Sequence, residues 1–506
     1  MGSAPTAGTI ILVVLVLGVT ILGFWAARWG NANLAHLDQW ALGGRNFGTV
    51  VSWFLLGGDL YTAYTFVAVP ALAFGAGAIA FFAVPYTTIT YPFVFVVMTR
   101  FWTVAKKRGY VTTADFVADR FGSRWLELAV AITGVLATLP YIALQLIGMQ
   151  AVLERSGIAP SHGSAMLMLI VAFVLLGAYT FTSGLRAPAA IAFVKDALIY
   201  ITVIAAITII PGKLGGWTHV FDAAQTALAA KPKNPGSIVI GSNMYFAYAS
   251  LALGSALALF IYPHSVTSIL SSKSAGVIRR NCALLPLYSI LLTFLALLGY
   301  CALAAGLHET NNNFAVPDLF NRFFPNWFTG VAFAAIVIGA LVPAAIMAIG
   351  AANLFASNIL QSFGGRQTRP RNETNVARYI SLAILVCALL IATGIQPSFS
   401  INFQLLGGAW ILQIFPAVVL GLYTRWFHPA ALLSGWVAGM AATAAMALSS
   451  GFAAVFKLSF LGTSVPGAII FYAFVANLAV SVLCTWLFRA LRLPSGTDVT
   501  VVGDYA

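Results

Sequence analysis

Trp53-Phe54-Leu55-Leu56-Gly57-Gly58-Asp59, followed after Leu60 by Tyr61-Thr62-Ala63-Tyr64-Thr65, lies in the middle of an apolar stretch over residues 48–72. A helix needs about 20 apolar residues to cross the hydrocarbon core of a bilayer, and this stretch is long enough. Its centre, however, holds two glycines, a carboxylate and a run of hydroxyls. The reading is a spanning helix interrupted at Gly57 and Gly58.

Twelve further apolar runs surround it, near 8–28, 76–101, 126–153, 164–184, 188–211, 239–263, 281–305, 327–362, 376–395, 401–423, 428–450 and 465–489. The run 327–362 is long enough to tilt and extend past the membrane. Composition agrees: 60% of residues are hydrophobic and 8% charged, against about 25% charged in soluble domains. So few charges do not cover a soluble surface, so lipid is the solvent for most of the chain. The run Gly8–Ala27 lacks a basic stretch before it and a small-residue cleavage site after it, so it reads as a retained span. Met1-Gly2-Ser3-Ala4-Pro5-Thr6 fits a myristoylation pattern in name, idle if the N-terminus lies outside.

The net charge of +13 sits in short loops between apolar runs, without a basic stripe of interleaved aromatics, which excludes a nucleic-acid partner. With the N-terminus outside, nineteen Lys and Arg residues fall in inner loops and six in outer ones. The positive-inside rule then orients the chain N-terminus out, C-terminus in, in a bacterial plasma (inner) membrane. The glycosylation-like Asn372-Glu373-Thr374 is then cytoplasmic and idle. Cys282, Cys301, Cys387 and Cys484 are scattered through apolar runs and read as buried, inert thiols rather than as a disulfide or metal set. No phosphate-binding glycine loop or nucleophile–base set is present, so no enzyme, cofactor or metal centre is expected. His162, His219 and His308 fall near outer helix ends and read as solvated.

Spans two to six and seven to eleven form two sets of five. An odd number in each set gives them opposite orientations, an inverted repeat. The second set opens on a helix with Gly254-Ser255 at mid-depth, matching Gly57-Gly58 in the first. Glycine and polar residues at corresponding mid-membrane points of two repeats mark a transport site; close helix packing is the plainer alternative. The expected fold is therefore all-α and integral to the membrane, with about 13 transmembrane helices. Its core is a five-plus-five inverted repeat with broken first and sixth core helices. The expected divisions are 1–47, an extra helix and leading loop; 48–212, the first repeat; 213–424, an outer loop and the second repeat; and 425–506, two further helices and a short tail.

Trp40-Ala41-Leu42-Gly43-Gly44-Arg45, ahead of the first broken helix, resembles the W-x-L-G-G-R loop of the sodium:solute symporter family. Three further stretches agree in order and spacing over about 400 residues. They are Tyr262-Pro263-His264 with Ser271-Ser272-Lys273-Ser274 and Arg279-Arg280; Pro416 to Tyr423; and Pro429-Ala430 to Gly439. Trp53 to Asp59, with Pro85-Tyr86 and Pro140-Tyr141, looks most like the bacterial monocarboxylate permease branch. The resemblance implies the five-plus-five fold, substrate held at the helix breaks, and alternating access driven by an ion gradient.

An ionisable group at the bilayer centre costs at least ~2.5 kcal/mol, so each needs a reason. Of 13 acids only Asp59 and Asp196 fall clearly within spans, and of 26 bases only Lys195; Glu127 and Arg186 lie near helix ends, within reach of water. Lys195 and Asp196 are neighbours that point about 100° apart, so they need not pair with each other. The family usually has Thr-Asp here; this chain has Lys-Asp. The family's second sodium site takes two carbonyls from the first break and two hydroxyls from the eighth core helix. The aligned hydroxyl positions here are Ala348 and Ile349, and no Ser or Thr occurs from Val331 to Ala356. Sodium needs oxygen ligands, as hard cations do, so the expectation is proton coupling. Lys195 is the titrating group, tuned by Asp196 or Asp59; a structural ion pair is the alternative.

By the same resemblance, Thr62, Tyr64 and Thr65 on the first broken helix, Tyr141 and Gln145 on the third core helix, Ser255 at the second break and Trp410 on the tenth are candidate substrate contacts. They supply hydroxyl and amide donors beside half-helix N-termini, which favour a carboxylate. No mid-membrane arginine is available to clamp an anion, which favours small, weakly held acids. Two functions compete: a proton-coupled symporter of short monocarboxylates (lactate, pyruvate, acetate or propionate), and a sodium-coupled carrier of an amino acid, vitamin or sugar. Membrane lipid is the only other expected partner; no obligate protein partner is evident. The tail after Arg492, about a dozen residues, is too short for a signalling domain.

Overall fold

The computed structural model describes residues 6–29, 33–58, 61–159, 161–232, 235–360, 362, 370–394, 396, 400–460 and 462–505. Asp59 lies outside them. Among the described residues, eleven helices are long and apolar enough to span a membrane, and one bent pair makes a twelfth. The expected run 48–72 is split into two shorter apolar helices, flanking residues 59–60.

Chain order is as follows. The lone first span is α1 (Ala7–Trp25). The first repeat holds α2 (Thr49–Gly58), α3 (Tyr64–Ala76), α4 (Ala78–Arg108), the short α5 (Thr113–Phe121), α6 (Arg124–Arg155), α7 (His162–Ser183) and α8 (Arg186–Lys213). A connector helix α9 (Trp217–Ala229) leads to the second repeat: α10 (Tyr245–Leu259), α11 (Pro263–Leu270), α12 (Ala275–Ala304), the short α13 (Ala315–Phe323), α14 (Asn326–Leu360), α15 (Pro370–Gly394) and α16 (Ile401–Leu422). Spans α17 (Pro429–Ser449) and α18 (Ile469–Ala490) close the chain. Between them lies an antiparallel hairpin of β1 (Val455–Phe460) and β2 (Thr463–Ala468), with Val455 opposite Ala468. The last span therefore starts at Ile469, after the expected 465. Val465 and Pro466 are on β2, paired with Leu458 and Lys457.

The centre of the bundle is α14, whose spanning window is entirely buried. Small residues make that possible by letting backbones approach closely. A Cβ on Gly330 would sit 2.3 Å from the Gly8 carbonyl oxygen of α1, and one on Gly350 would sit 2.8 Å from that of Pro263. Lipid-facing spans contrast with it: only about a third of the α17 and α18 windows is buried.

The loop Trp40–Arg45 acts as a packing wedge. Gly43 and Gly44 both adopt left-handed backbone (φ 60° and 71°), which glycine takes without steric cost. The buried indole of Trp40 donates to the Thr180 carbonyl at 3.2 Å. Nearby, Phe47 N–H donates to the Ser271 carbonyl, and Lys273 N–H to that of Phe47. The chain entering the first broken helix is thus bound to the chain leaving the second.

The second break differs from the expected one. The helix continues through Gly254 and Ser255 and bends by 50° over Phe260–Tyr262. Gly254 is instead a packing glycine, where a Cβ would lie 2.6 Å from Ile470 Cγ2 on α18. Pro263 sets the restart: it is the first residue of α11, where proline's missing N–H costs nothing, and it disfavours helical backbone at Tyr262. Two other expectations change. Arg186 does not reach water: it is buried, and its guanidinium donates to the Trp29 carbonyl and to Gln39 Oε1. Cys282 and Cys301 are buried as expected, but Cys387 is exposed on α15.

Candidate functional site: a buried ammonium beside a cavity at the helix breaks

α2 ends at Gly58 because the chain must turn, and at that end a side-chain ammonium takes over from missing helical donors. Lys195, fully buried on α8, donates from Nζ to the carbonyls of Gly58 at 2.5 Å and Tyr61 at 3.2 Å. Those oxygens belong to the break, where carbonyls lose the regular partners of a helix interior. Gly58 is required by this approach, since a Cβ there would lie 2.9 Å from Lys195 Nζ. The adjacent Asp196, also fully buried, is 3.0 Å from the same nitrogen. The neighbours therefore do pair, although a helix sets them about 100° apart; the long lysine stem lets Nζ swing back toward Oδ1. Tyr61, Tyr200 and Tyr288 enclose the pair, with ring centroids 4.2 Å apart for Tyr61–Tyr288 and 5.6 Å for Tyr200–Tyr288. The Tyr61 phenol donates to the Tyr288 carbonyl.

On the far side of the break the chain is held from α14 and α6. Gly339 of α14 faces Ile199 and the Tyr61 carbonyl. Ala348 and Ile349 are fully buried, and Gly350 beside them faces the second break, so this wall brings no side-chain oxygen. On α6, Gln145 Oε1 accepts from Ala63 N–H at 2.9 Å. One turn on, Gly148 leaves room for Ala63, whose Cβ would be 2.4 Å from a Cβ placed there.

The next residues reach a separate cavity. Tyr64, Tyr86, Ser255, Tyr262, Gln404 and Gly408 line it, at the junction of α3, α4, α10, the second break and α16. It is narrow: the centre of a water-sized sphere has about 20 Å³ to move in. The phenols of Tyr64 and Tyr262, the Ser255 hydroxyl and the Gln404 amide oxygen are all buried and find no hydrogen-bond partner among the described residues. Four such groups converging on one space is unusual, because buried polar atoms are nearly always paired. Gly407 and Gly408 of α16 make room for the Tyr262 phenol, 3.3 and 3.9 Å from the Cβ positions these residues lack. Tyr141 stands behind, its ring 6.4 Å from Tyr64, 5.7 Å from Tyr262 and 5.4 Å from His264.

Of the candidate contacts, Tyr64 and Ser255 line this cavity directly. Thr62 and Thr65 do not, because their hydroxyls close the turn of the break. Tyr64 N–H donates to Thr62 Oγ1 at 3.0 Å, Thr62 N–H to Thr65 Oγ1 at 3.0 Å, and Thr65 Oγ1 to the Thr62 carbonyl at 2.9 Å. Gln145 holds the backbone, and Trp410 packs half-buried against the core beyond Gly408. Tyr86, Tyr262 and Gln404 are additions. Pro85-Tyr86 and Tyr262-Pro263-His264 had been visible as motifs, without their phenols being assigned; Gln404 gave no signal.

Two inverted sets of spans, each opening on a broken helix, with a charged pair and a narrow polar cavity at the breaks, define a secondary transporter, not an enzyme. The profile of the sodium:solute symporter family matches residues 40–439, and the chain belongs to that family. It is 51% identical to the monocarboxylate transport permease protein of Rhizobium johnstonii, over 96% of this chain and 97% of that one. It is 35% identical to the uncharacterized symporter YodF of Bacillus subtilis, over 86% of each. The substrate-bound, outward-open structure of a sodium-coupled sialic acid symporter superposes with a TM-score of 0.77 at 16% identity, covering 98% of this chain and 99% of that chain.

Proposed function

We propose that this protein is a symporter that carries short monocarboxylates together with protons, with its N-terminus outside and its C-terminus in the cytoplasm. The observation that carries the coupling is the Lys195 ammonium on the carbonyls of Gly58 and Tyr61. A monovalent cation bound at the first break would need those same oxygens, and the stretch of α14 from Val331 to Ala356, without Ser or Thr, offers no replacements. Protonated Lys195 does a bound cation's work by tying α8 to the break. Loss of its proton toward the inside releases the break and favours opening in that direction. Asp196 steadies the charged form, and Asp59 stands as a further candidate for tuning it.

The cavity supports the substrate class. Three O–H groups, on Tyr64, Ser255 and Tyr262, suit the two oxygens of one carboxylate, and the narrow space suits a small acid. The permease named for monocarboxylates, at 51% identity along nearly the whole chain, favours the same reading. Sodium coupling is the competing reading, favoured by the sodium-coupled symporter of the same fold.

Uptake of a labelled acid panel into proteoliposomes, with proton and sodium gradients imposed separately, discriminates them. Replacing sodium by choline should leave proton-driven uptake intact. Strict dependence on sodium would overturn the coupling assignment and leave the transporter class standing.

A further inference from the structure

Away from the helix breaks, where α17 begins and α18 ends, the chain builds a second polar cavity. Arg120, Arg425, Arg489, Arg492, His428 and Asp498 contribute to it, around about 480 Å³ of open space, within the range of small-molecule sites. Four arginines face one aspartate, a net of three positive charges. Asp498 is already committed to two of them, 2.8 Å from Arg120 Nη1 and 3.3 Å from Arg425 Nε. Arg120 is buried, and its second nitrogen donates to the Thr424 carbonyl, so it is a structural clamp on the tail. Arg489 is held in place by its bond to the Arg425 carbonyl at 3.0 Å. Neither Arg489 nor Arg492 has a carboxylate within ion-pairing distance among the described residues. The positive pole of α17, which starts at Pro429 on the cavity wall, adds to the field.

We propose that this cavity binds a phosphate-bearing anion through Arg425, Arg489 and Arg492. Guanidinium forks match phosphate oxygens two at a time, which an ammonium does not; the cavity holds four arginines and no lysine. Its place favours a ligand that shares the membrane surface. α17 and α18 are among the least covered spans, so the cavity opens beside lipid at the arginine-rich end of the bundle, where anionic headgroups concentrate around basic pockets. A phospholipid phosphodiester and a free phosphate ester present the same chemistry to it.

The intact protein in neutral detergent, at constant ionic strength, tests this by its unfolding midpoint. The probes are dihexanoyl phosphatidylglycerol, dihexanoyl phosphatidylcholine and inorganic phosphate. Phosphatidylglycerol should raise the midpoint of the wild type and phosphatidylcholine should not. The shift should vanish in R489Q/R492Q and persist in R279Q/R280Q, which removes two exposed arginines elsewhere. A response to phosphatidylglycerol alone assigns the site to lipid, and a response to inorganic phosphate alone to a soluble ester. If the double variant does not fold, R492Q alone should weaken the apparent affinity about tenfold, the worth of one charge-assisted hydrogen bond. No shift with either anion in the wild type, or an undiminished shift in R489Q/R492Q or R492Q, overturns the proposal.

Discussion

Lys195 makes three contacts with one nitrogen: two break carbonyls and the Asp196 carboxylate. Lys195→Gln keeps length and a donor but cannot titrate, so accumulation of substrate against a gradient should be lost. Exchange of labelled for unlabelled substrate, which does not need the empty carrier to reorient, should survive. Lys195→Ala also strands Asp196 as an uncompensated buried charge, a loss of about 3–5 kcal/mol, and should fail in both assays with a lowered thermal midpoint. Concentrative uptake by Lys195→Gln in response to a proton gradient would make Lys195 structural. For the cavity, Tyr64→Phe and Tyr262→Phe each remove one unpartnered O–H. Each should raise the half-saturating substrate concentration about tenfold at normal surface expression; unchanged affinity in both would misplace the site. Lys195 stands out in the sequence because it is the only base clearly within a span, away from its ends. Tyr262 and Gln404 do not, because such residues occur along many spans and only packing decides which four converge. The hydroxyls of Thr62 and Thr65 are taken up by the turn for a related reason: in an open turn a hydroxyl bonds the nearby backbone.

At the scale of the element, the two breaks rest on different physics. The first is stabilised by an ammonium, and glycine is what lets it approach. Gly58→Ala should lower transport at least about tenfold, the equivalent of one charged hydrogen bond, with spans and expression intact. Gly57→Ala, whose tightest contact is the movable end of Leu285 at 3.0 Å, with the Tyr288 ring at an ordinary 3.5 Å, should be mild; equal effects in an uptake assay would argue against the lysine contact. The second break depends on Pro263 and was read six residues too early, since Gly254 and Ser255 looked like an interruption and serve as a packing site and a cavity wall. The short helix α13 carries a pH-sensitive contact that no sequence pattern announced. Arg155 holds Glu309 at 2.9 Å and Asp318 at 3.2 Å. Burial pushes the Asp318 carboxyl up to about 7 from 3.8 despite the pull of Arg155, and Glu309 adds to the rise. Its folded form therefore holds the proton more tightly than the unfolded chain. That contribution to stability is complete below about pH 4 and lost as pH rises to about 7. Asp318→Asn should flatten this part of the midpoint-against-pH curve, measured in detergent; an unchanged slope would refute it.

Over the whole molecule, hydropathy located the spans to within about seven residues, because length and apolarity are set by the bilayer and not by neighbours. What it missed lies outside lipid: the β1–β2 hairpin, the helices α9 and α13, and the tail clamped by Arg120. There, tertiary contact outweighs local pattern. One feature of the interior, the fully buried Lys195–Asp196 pair, also fixes an electrical property. The ammonium and the carboxylate cancel before an acid binds. In the proposed cycle the one proton on Lys195 travels with one acid anion, so the net cargo is neutral, while the site keeps the Asp196 charge both when loaded and when empty and deprotonated. Moving a full charge would couple transport to voltage by about 2.3 kcal/mol per 100 mV; a neutral cargo removes that coupling. With the proposed one proton per acid, accumulation should follow the pH difference alone, about tenfold per unit. A potassium–valinomycin potential imposed on proteoliposomes at fixed pH should leave the plateau unchanged, whereas a plateau that tracks the potential would mean that more than one cation accompanies each acid.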